Sequence, residues 1–187
     1  MNRVLRTAAV LCTLCALGGA AVAADANEPT MRAAVETALW PGDIVRAADK
    51  YLRSHPDGAG ADAVRSLRER ATQAWQIVSR SDVKLYRSAF VPREGGETLQ
   101  DMHRASLGDR AAAVRLAHAS KRAGDAQGEQ RYVGWLQLAS LLGDDRASYE
   151  LALHFRRTDQ LVLAARYEAV AIALGYQPAP GLDHVRK

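Results

Sequence analysis

The stretch Leu138-Ala139-Ser140-Leu141-Leu142-Gly143-Asp144 decides the fold, because a close copy, Arg104-Ala105-Ser106-Leu107-Gly108-Asp109, stands upstream. A third copy ends at Ala171-Ile172-Ala173-Leu174-Gly175, so that the three glycines are 35 and then 32 residues apart. Periods of this length are typical of arrays of helical hairpins. We expect each glycine to end a helix in the left-handed conformation. The Asp that follows can then cap the next helix.

Residues at matching distances from these glycines indicate one inward helix face. Ala147, Leu151, Ala152 and Phe155 stand four, eight, nine and twelve residues after Gly143, steps that share a face of an α-helix. Equivalent positions follow Gly108, and an aromatic residue stands eight before each of the two later glycines. The predicted repeat-structural residues are Gly108, Ala112, Leu116, Ala117, Trp135, Ala139, Gly143, Ala147, Leu151, Ala152, Phe155, Tyr167, Ala171 and Gly175.

Helical periodicity extends towards the amino terminus. Apolar residues at steps of three and four from Val64 to Val78 predict an amphipathic helix, and a preceding helix is expected from about Asp43 to Ser54. These two form a predicted hairpin over residues 42–79, after a shorter helix near Met31 to Leu39. No alternating strand pattern was identified. We therefore predict an all-α protein.

Stacking explains how such units become stable. A single helical hairpin cannot bury its apolar face alone, whereas stacked copies can, which favours a short right-handed helical-hairpin solenoid. We divide the chain into a signal peptide over residues 1–23, an N-terminal helical hairpin region over 29–80, and a repeat region with a C-terminal tail over 81–187.

The repeat region resembles the Sel-like repeat family, which is related to the tetratricopeptide repeats. The resemblance rests on residues 82–175 and is best in the unit with Ala147, Leu151-Ala152, Tyr167 and Gly175. This chain has Ala at 117 and 152, where the family usually has Gly after the Leu. The resemblance implies a tetratricopeptide-like solenoid that acts as an adaptor by binding other proteins.

The first 23 residues have the pattern of an export signal. Arg3 and Arg6 precede an apolar run of about 16 residues, shorter than the roughly 20 that a spanning helix needs. A small-x-small motif at residues 21–23 places the predicted cleavage between Ala23 and Ala24. Asp25, Glu28 and Pro29 follow as an expected helix-breaking boundary. The expected product is periplasmic or secreted, with neither a lipid anchor nor a membrane span; an uncleaved anchor is the alternative.

Composition then excludes several classes. A chain that is 48% hydrophobic and 25% charged is neither a disordered tail nor a multispanning membrane protein. Cleavage removes both cysteines and two arginines, which lowers the formal net charge from +4 to +2. Disulfides and cysteine chemistry are thereby excluded from the exported chain. We expect no cofactor, and without a basic block we expect no nucleic-acid partner.

The search for catalytic motifs finds no nucleophile elbow and no phosphate-binding loop. Glu150 and His154 are four residues apart and could ligate a metal, although an exposed helix pair is the alternative. His103 and His118 are expected to be solvated, and the aromatic residues Trp75, Trp135, Tyr149, Phe155 and Tyr167 to form core rather than a ligand box. Trp40 is expected to be partly exposed.

These patterns favour a non-enzymatic interaction scaffold in the bacterial envelope that binds a protein or peptide partner. An envelope enzyme or a polysaccharide- or peptidoglycan-binding accessory protein is the alternative, as is an effector exported beyond the cell. The expected binding residues are polar groups on exposed helix faces: Arg115, His118, Gln137, Glu150 and His154.

Overall fold

The structure, a computed structural model, describes residues 19–92 and 99–177, with only the course of the backbone for residues 19–26. Within these ranges it contains eight α-helices, one 3₁₀ turn (Arg87–Phe90) and no β-strand, which confirms the all-α prediction. The helices are α1 Gly19–Thr37, α2 Pro41–Ser54, α3 Ala61–Val78, α4 Leu99–Ser106, α5 Arg110–Ala123, α6 Gly128–Leu141, α7 Asp145–Arg157 and α8 Leu161–Ala173.

The three repeated glycines follow the ends of helices as predicted, and the Asp after two of them caps the next helix. Gly108, Gly143 and Gly175 have φ values of +81°, +90° and +98°, a region that residues with a Cβ adopt at a cost. After Gly143, the Asp144 backbone N–H donates to the Ala139 carbonyl at 3.0 Å, which closes the α6 terminus. The Asp144 side chain then accepts from the Ala147 backbone N–H at 2.8 Å. Asp109 caps α5 in the same way.

Helices that are neighbours in the chain pack together as the pairs α2/α3, α5/α6 and α7/α8. In addition, α4 contacts α5, and α7 contacts α6. Their cores form two clusters. Tyr51 and Ile44 belong to the first, around α1–α3, and Trp135 and Leu151 to the second, around α4–α8. Leu107, which follows α4, lies in the first cluster, while Trp40 packs against the second. The two clusters are thereby joined through side chains that cross between them.

The residues that we predicted as the inward face lie in the interior. None of the non-glycine members exceeds 6% exposure: Ala112, Leu116, Ala117, Trp135, Ala139, Ala147, Leu151, Ala152, Phe155, Tyr167 and Ala171. The prediction that the aromatic residues form core is confirmed for Trp135, Phe155 and Tyr167, while Tyr149 is only partly buried. It is wrong for Trp75, which is 37% exposed and packs edge-on against Trp40 at 5.5 Å between ring centroids. Trp40 is partly exposed, as expected.

The unit before Gly108 differs from the predicted helical hairpin. Residues 83–86 have no regular secondary structure, and Val83 and Leu85 are buried while Lys84 and Tyr86 are exposed. This is an alternating pattern, which the sequence analysis missed. The segment runs over Gly134 of α6, where a Cβ would lie 2.6 Å from the Lys84 carbonyl oxygen. Close approach of the two backbones therefore requires glycine at 134.

The amino-terminal helix also departs from expectation. α1, Gly19–Thr37, continues through Pro29, so the predicted helix break at Pro29 is wrong. A proline removes one backbone donor from a helix. Next to Pro29, Glu28 connects α1 to the rest of the protein. Its carboxylate accepts hydrogen bonds from the Tyr51 hydroxyl and from the Gly60 backbone N–H. Residues 1–18 of the predicted signal lie outside the described residues. Across the described part of the chain, no helix is long and apolar enough to cross a membrane.

Candidate functional site

A surface groove of about 520 Å³ lies between α5, α6 and α7 and is the candidate site; we call it the α5–α7 groove. Concave sites of roughly 300–1,000 Å³ are the size that ligands of moderate dimensions occupy. The groove collects side chains from three consecutive helices. Its lining residues are Lys121, Tyr132, Glu150, Leu153, Arg156 and Arg157.

Glu150 organises one wall of this groove. Its carboxylate accepts a hydrogen bond from the Tyr132 hydroxyl at 2.9 Å, and it lies 3.0 Å from His118 Nε2. The Tyr132 ring is fully buried, and burial together with the nearby Glu150 charge raises the pKa of its hydroxyl well above the ordinary value. Tyr132 therefore stays protonated and donates to Glu150 at any physiological pH. α5, α6 and α7 are tied together at this point.

Three cations, Lys121, Arg156 and Arg157, also line the groove. The Lys121 ammonium lies 4.4 Å from the centroid of the Tyr132 ring, within the range of a cation–π contact. Arg156 forms an ion pair with Glu168 of α8 at 2.8 Å. Within residues 19–92 and 99–177, no carboxylate lies at ion-pair distance from Lys121 or Arg157. Beside them Leu153 is 38% exposed, so the groove combines exposed apolar surface with positive charge.

The structure brings only part of the predicted binding set to this groove. Glu150 lines it, and His118 contacts Glu150. Arg115 lies on the exposed surface of α5, where its guanidinium bonds the Asp101 carboxylate of α4 at 2.6 Å and 3.1 Å. That pair connects two helices. Arg115 therefore has a structural role of its own outside the groove.

Gln137 was expected on an exposed face and is instead buried, with 4% exposure. Its Oε1 accepts from the Lys84 backbone N–H at 2.6 Å, and its Nε2 donates to the Asp82 carbonyl at 3.0 Å. The prediction failed because α6 is enclosed on every side: residues 131–140 are all buried. A polar residue on such a helix must find partners inside the protein.

His154 is the second correction, since it is buried with 6% exposure. Its Nδ1 lies 3.0 Å from Glu129 Oε1, at the edge of a smaller cavity of about 270 Å³ between α6, α7 and α8. Burial lowers the pKa of His154, an effect that the Glu129 carboxylate partly opposes. His103, also expected in solvent, is half-buried, and burial lowers its pKa as well.

The geometry gives no support to a metal pair at Glu150 and His154. Glu150 contacts Tyr132 and His118, whereas His154 contacts Glu129. Among the residues that the structure describes, no three His, Cys, Asp or Glu side chains are grouped so as to hold a metal ion. What the groove offers chemically is recognition: an apolar contact at Leu153, positive charge, and one oriented carboxylate.

Several groove residues were missed by the sequence analysis: Lys121, Tyr132, Leu153, Arg156 and Arg157. A signal for three of them exists. Glu150, Leu153 and Arg157 are spaced three and four apart on α7, so they share a face, and Lys121 follows His118 by three on α5. Tyr132 carries no such signal, because its ring lies in the core and its contacts with Glu150 and Lys121 join different helices.

Comparisons with known proteins add nothing to the geometry of the site. No protein-family model matches the chain, and no curated protein or solved structure shows significant similarity to it.

Proposed function

We propose that this protein is an exported, non-enzymatic scaffold of the bacterial envelope that binds a protein or peptide partner in the α5–α7 groove. In this proposal the helix pairs form a short right-handed solenoid of Sel-like repeats, and the groove lies where the first helices of two successive units, α5 and α7, face one another. Cleavage between Ala23 and Ala24 gives a periplasmic or secreted chain.

One observation carries the proposal: the groove exposes Leu153 together with two cations, Lys121 and Arg157, for which no carboxylate of the described chain lies at ion-pair distance. Exposed apolar surface rimmed by charged residues is typical of a surface that binds another molecule. The arrangement also distributes its contacts over α5, α6 and α7. That is the arrangement expected of a surface that binds an extended partner, since each helix supplies a few side chains.

Affinity capture with matched variants tests the proposal. Leu153→Glu and Arg157→Glu alter the groove, while Leu141→Glu and Arg146→Glu make the same changes at exposed positions outside it. Purified proteins immobilised at equal density are exposed to envelope extract. We expect wild type and both controls to retain the same proteins and both groove variants to lose them. Equal retention by all five would contradict a binding role for the groove.

Export is tested separately by the intact mass of the protein from the envelope fraction. The proposal predicts a chain that begins at Ala24. A mass that includes residues 1–23, or one that includes acyl chains, would show that the protein is anchored rather than released.

A further inference from the structure

The last helix, α8, leaves an apolar stripe in solvent. Val162 is 84% exposed, Leu161 is 61% exposed and Ile172 is 60% exposed, and Ala165 and Ala169 lie between them on the same exposed face. Steps of three and four residues place these side chains on one line along the helix. A contiguous apolar stripe of this kind marks an interaction surface rather than ordinary solvent-exposed surface.

The internal repeat indicates what kind of element covers such a face. Alignment of Gly175 with Gly143 places Ala165, Ala169 and Ile172 at the positions of Val133, Gln137 and Ser140 of α6, all of which are buried. In α6, Ser140 hydrogen-bonds Ser148 of α7 at 2.7 Å, and Gln137 bonds the Tyr167 hydroxyl of α8 at 3.1 Å. The α6 face is thus covered in part by the two helices that follow it, α7 and α8. The equivalent face of α8 therefore has the form of a surface that receives another helix.

The absence of charge and the symmetric spacing of the stripe favour a second copy of the same helix as its partner. We propose that the stripe Leu161, Val162, Ala165, Ala169 and Ile172 is a two-fold interface that pairs α8 of one chain with α8 of a second copy. The stripe contains no charged residue, so two copies can meet without burying an uncompensated charge. Its charged neighbours are paired within their own chain, Arg166 with Asp82 at 3.2 Å and Glu168 with Arg156 at 2.8 Å.

An antiparallel arrangement makes the stripe self-complementary. Leu161 and Val162 of one copy then lie beside Ile172 of the other, and Ala165 lies beside the second copy's Ala169. Small residues at the centre allow the two backbones to approach closely, and the large residues at the ends fill the remaining space. Each contact occurs twice, as a two-fold interface requires.

Sedimentation equilibrium on the purified protein tests the interface. Ala169→Glu places a charge at its centre, and Ala63→Glu makes the same change at an exposed position of α3. We expect wild type and Ala63→Glu to have twice the chain mass at micromolar concentrations, and Ala169→Glu to have the mass of one chain with an unchanged circular dichroism spectrum. A monomeric wild type would overturn the proposal, as would a dimeric Ala169→Glu or a monomeric Ala63→Glu.

Discussion

The side-chain amide of Gln137 completes the backbone hydrogen bonding of the segment at Lys84. Oε1 of Gln137 accepts from the Lys84 backbone N–H at 2.6 Å, and Nε2 donates to the carbonyl of Asp82 at 3.0 Å. One side chain of α6 thus supplies both a hydrogen-bond acceptor and a donor to the backbone of residues 82–84. These two bonds hold the segment against α6.

Replacement of Gln137 by Leu should lower the free energy of unfolding by about 1–3 kcal/mol, because a partly buried backbone donor and acceptor lose this partner. The matched control is Gln130→Leu, an exposed position of the same helix, which should stay near wild type. Urea unfolding monitored by circular dichroism measures both. Equal stability of the two variants would show that the contact at Lys84 contributes little.

The inward face of α7 gives a second prediction. Leu151 and Ala152 are at most 1% exposed. Leu151→Ala should cost about 2–5 kcal/mol through the cavity that it leaves. Ala152→Leu should cost about 1–3 kcal/mol by overpacking. Urea midpoints of the two variants provide the test, and wild-type values for both would mean that this face does not form the core.

Asp144 offers a test of the helix cap. Asp144→Ala removes the acceptor for the Ala147 backbone N–H and should destabilise the protein by about 0.5–2 kcal/mol. Asp145→Ala is the control, since Asp145 is also acidic and lies in the first turn of α7 without being its cap residue. Thermal melts of the two variants compare them directly. A larger loss in Asp145→Ala would assign the stabilisation to charge at the helix terminus instead.

The buried His154 should make stability depend on pH. Burial lowers the pKa of its imidazole in the folded chain, so the unfolded chain takes up a proton first, at a pH of about 6.5. Falling pH therefore favours the unfolded chain below about pH 6.5, and His103 acts in the same direction. Urea unfolding between neutral and mildly acidic pH should show this loss of stability. His154→Gln should make the loss smaller, and an unchanged pH profile would contradict the assignment.

The sequence was sufficient for features with short-range causes. The left-handed glycines and the caps at Asp109 and Asp144 depend on local backbone chemistry, and helix faces depend on spacing alone. Contacts between distant segments were not predictable in this way. Gln137 and His154 are polar residue types that usually lie in solvent. In the fold, residues 82–86 and α8 cover them, and no local sequence pattern predicts these long-range contacts.

The candidate site was predicted in part for the same reason. Glu150 and His118 were identified because they are polar residues at outward positions of predicted helices. Tyr132 and Lys121 enter the groove through a contact between α5 and α6 that depends on how closely the two helices pack. Leu153 was missed because an exposed leucine gains significance only when unpaired cations are found beside it.

The most direct test of the central claim is a crosslink from the groove itself. A photoreactive amino acid is placed at Leu153 in living cells, and in parallel at Ala63 of α3, which is also exposed but distant in the chain. We predict that irradiation joins the Leu153 variant to a discrete envelope protein, and that Arg157→Glu in the same chain abolishes this product. The Ala63 variant should give none. A Leu153 variant that forms no adduct, or one whose adducts are the same as those from Ala63, would contradict partner binding in the α5–α7 groove.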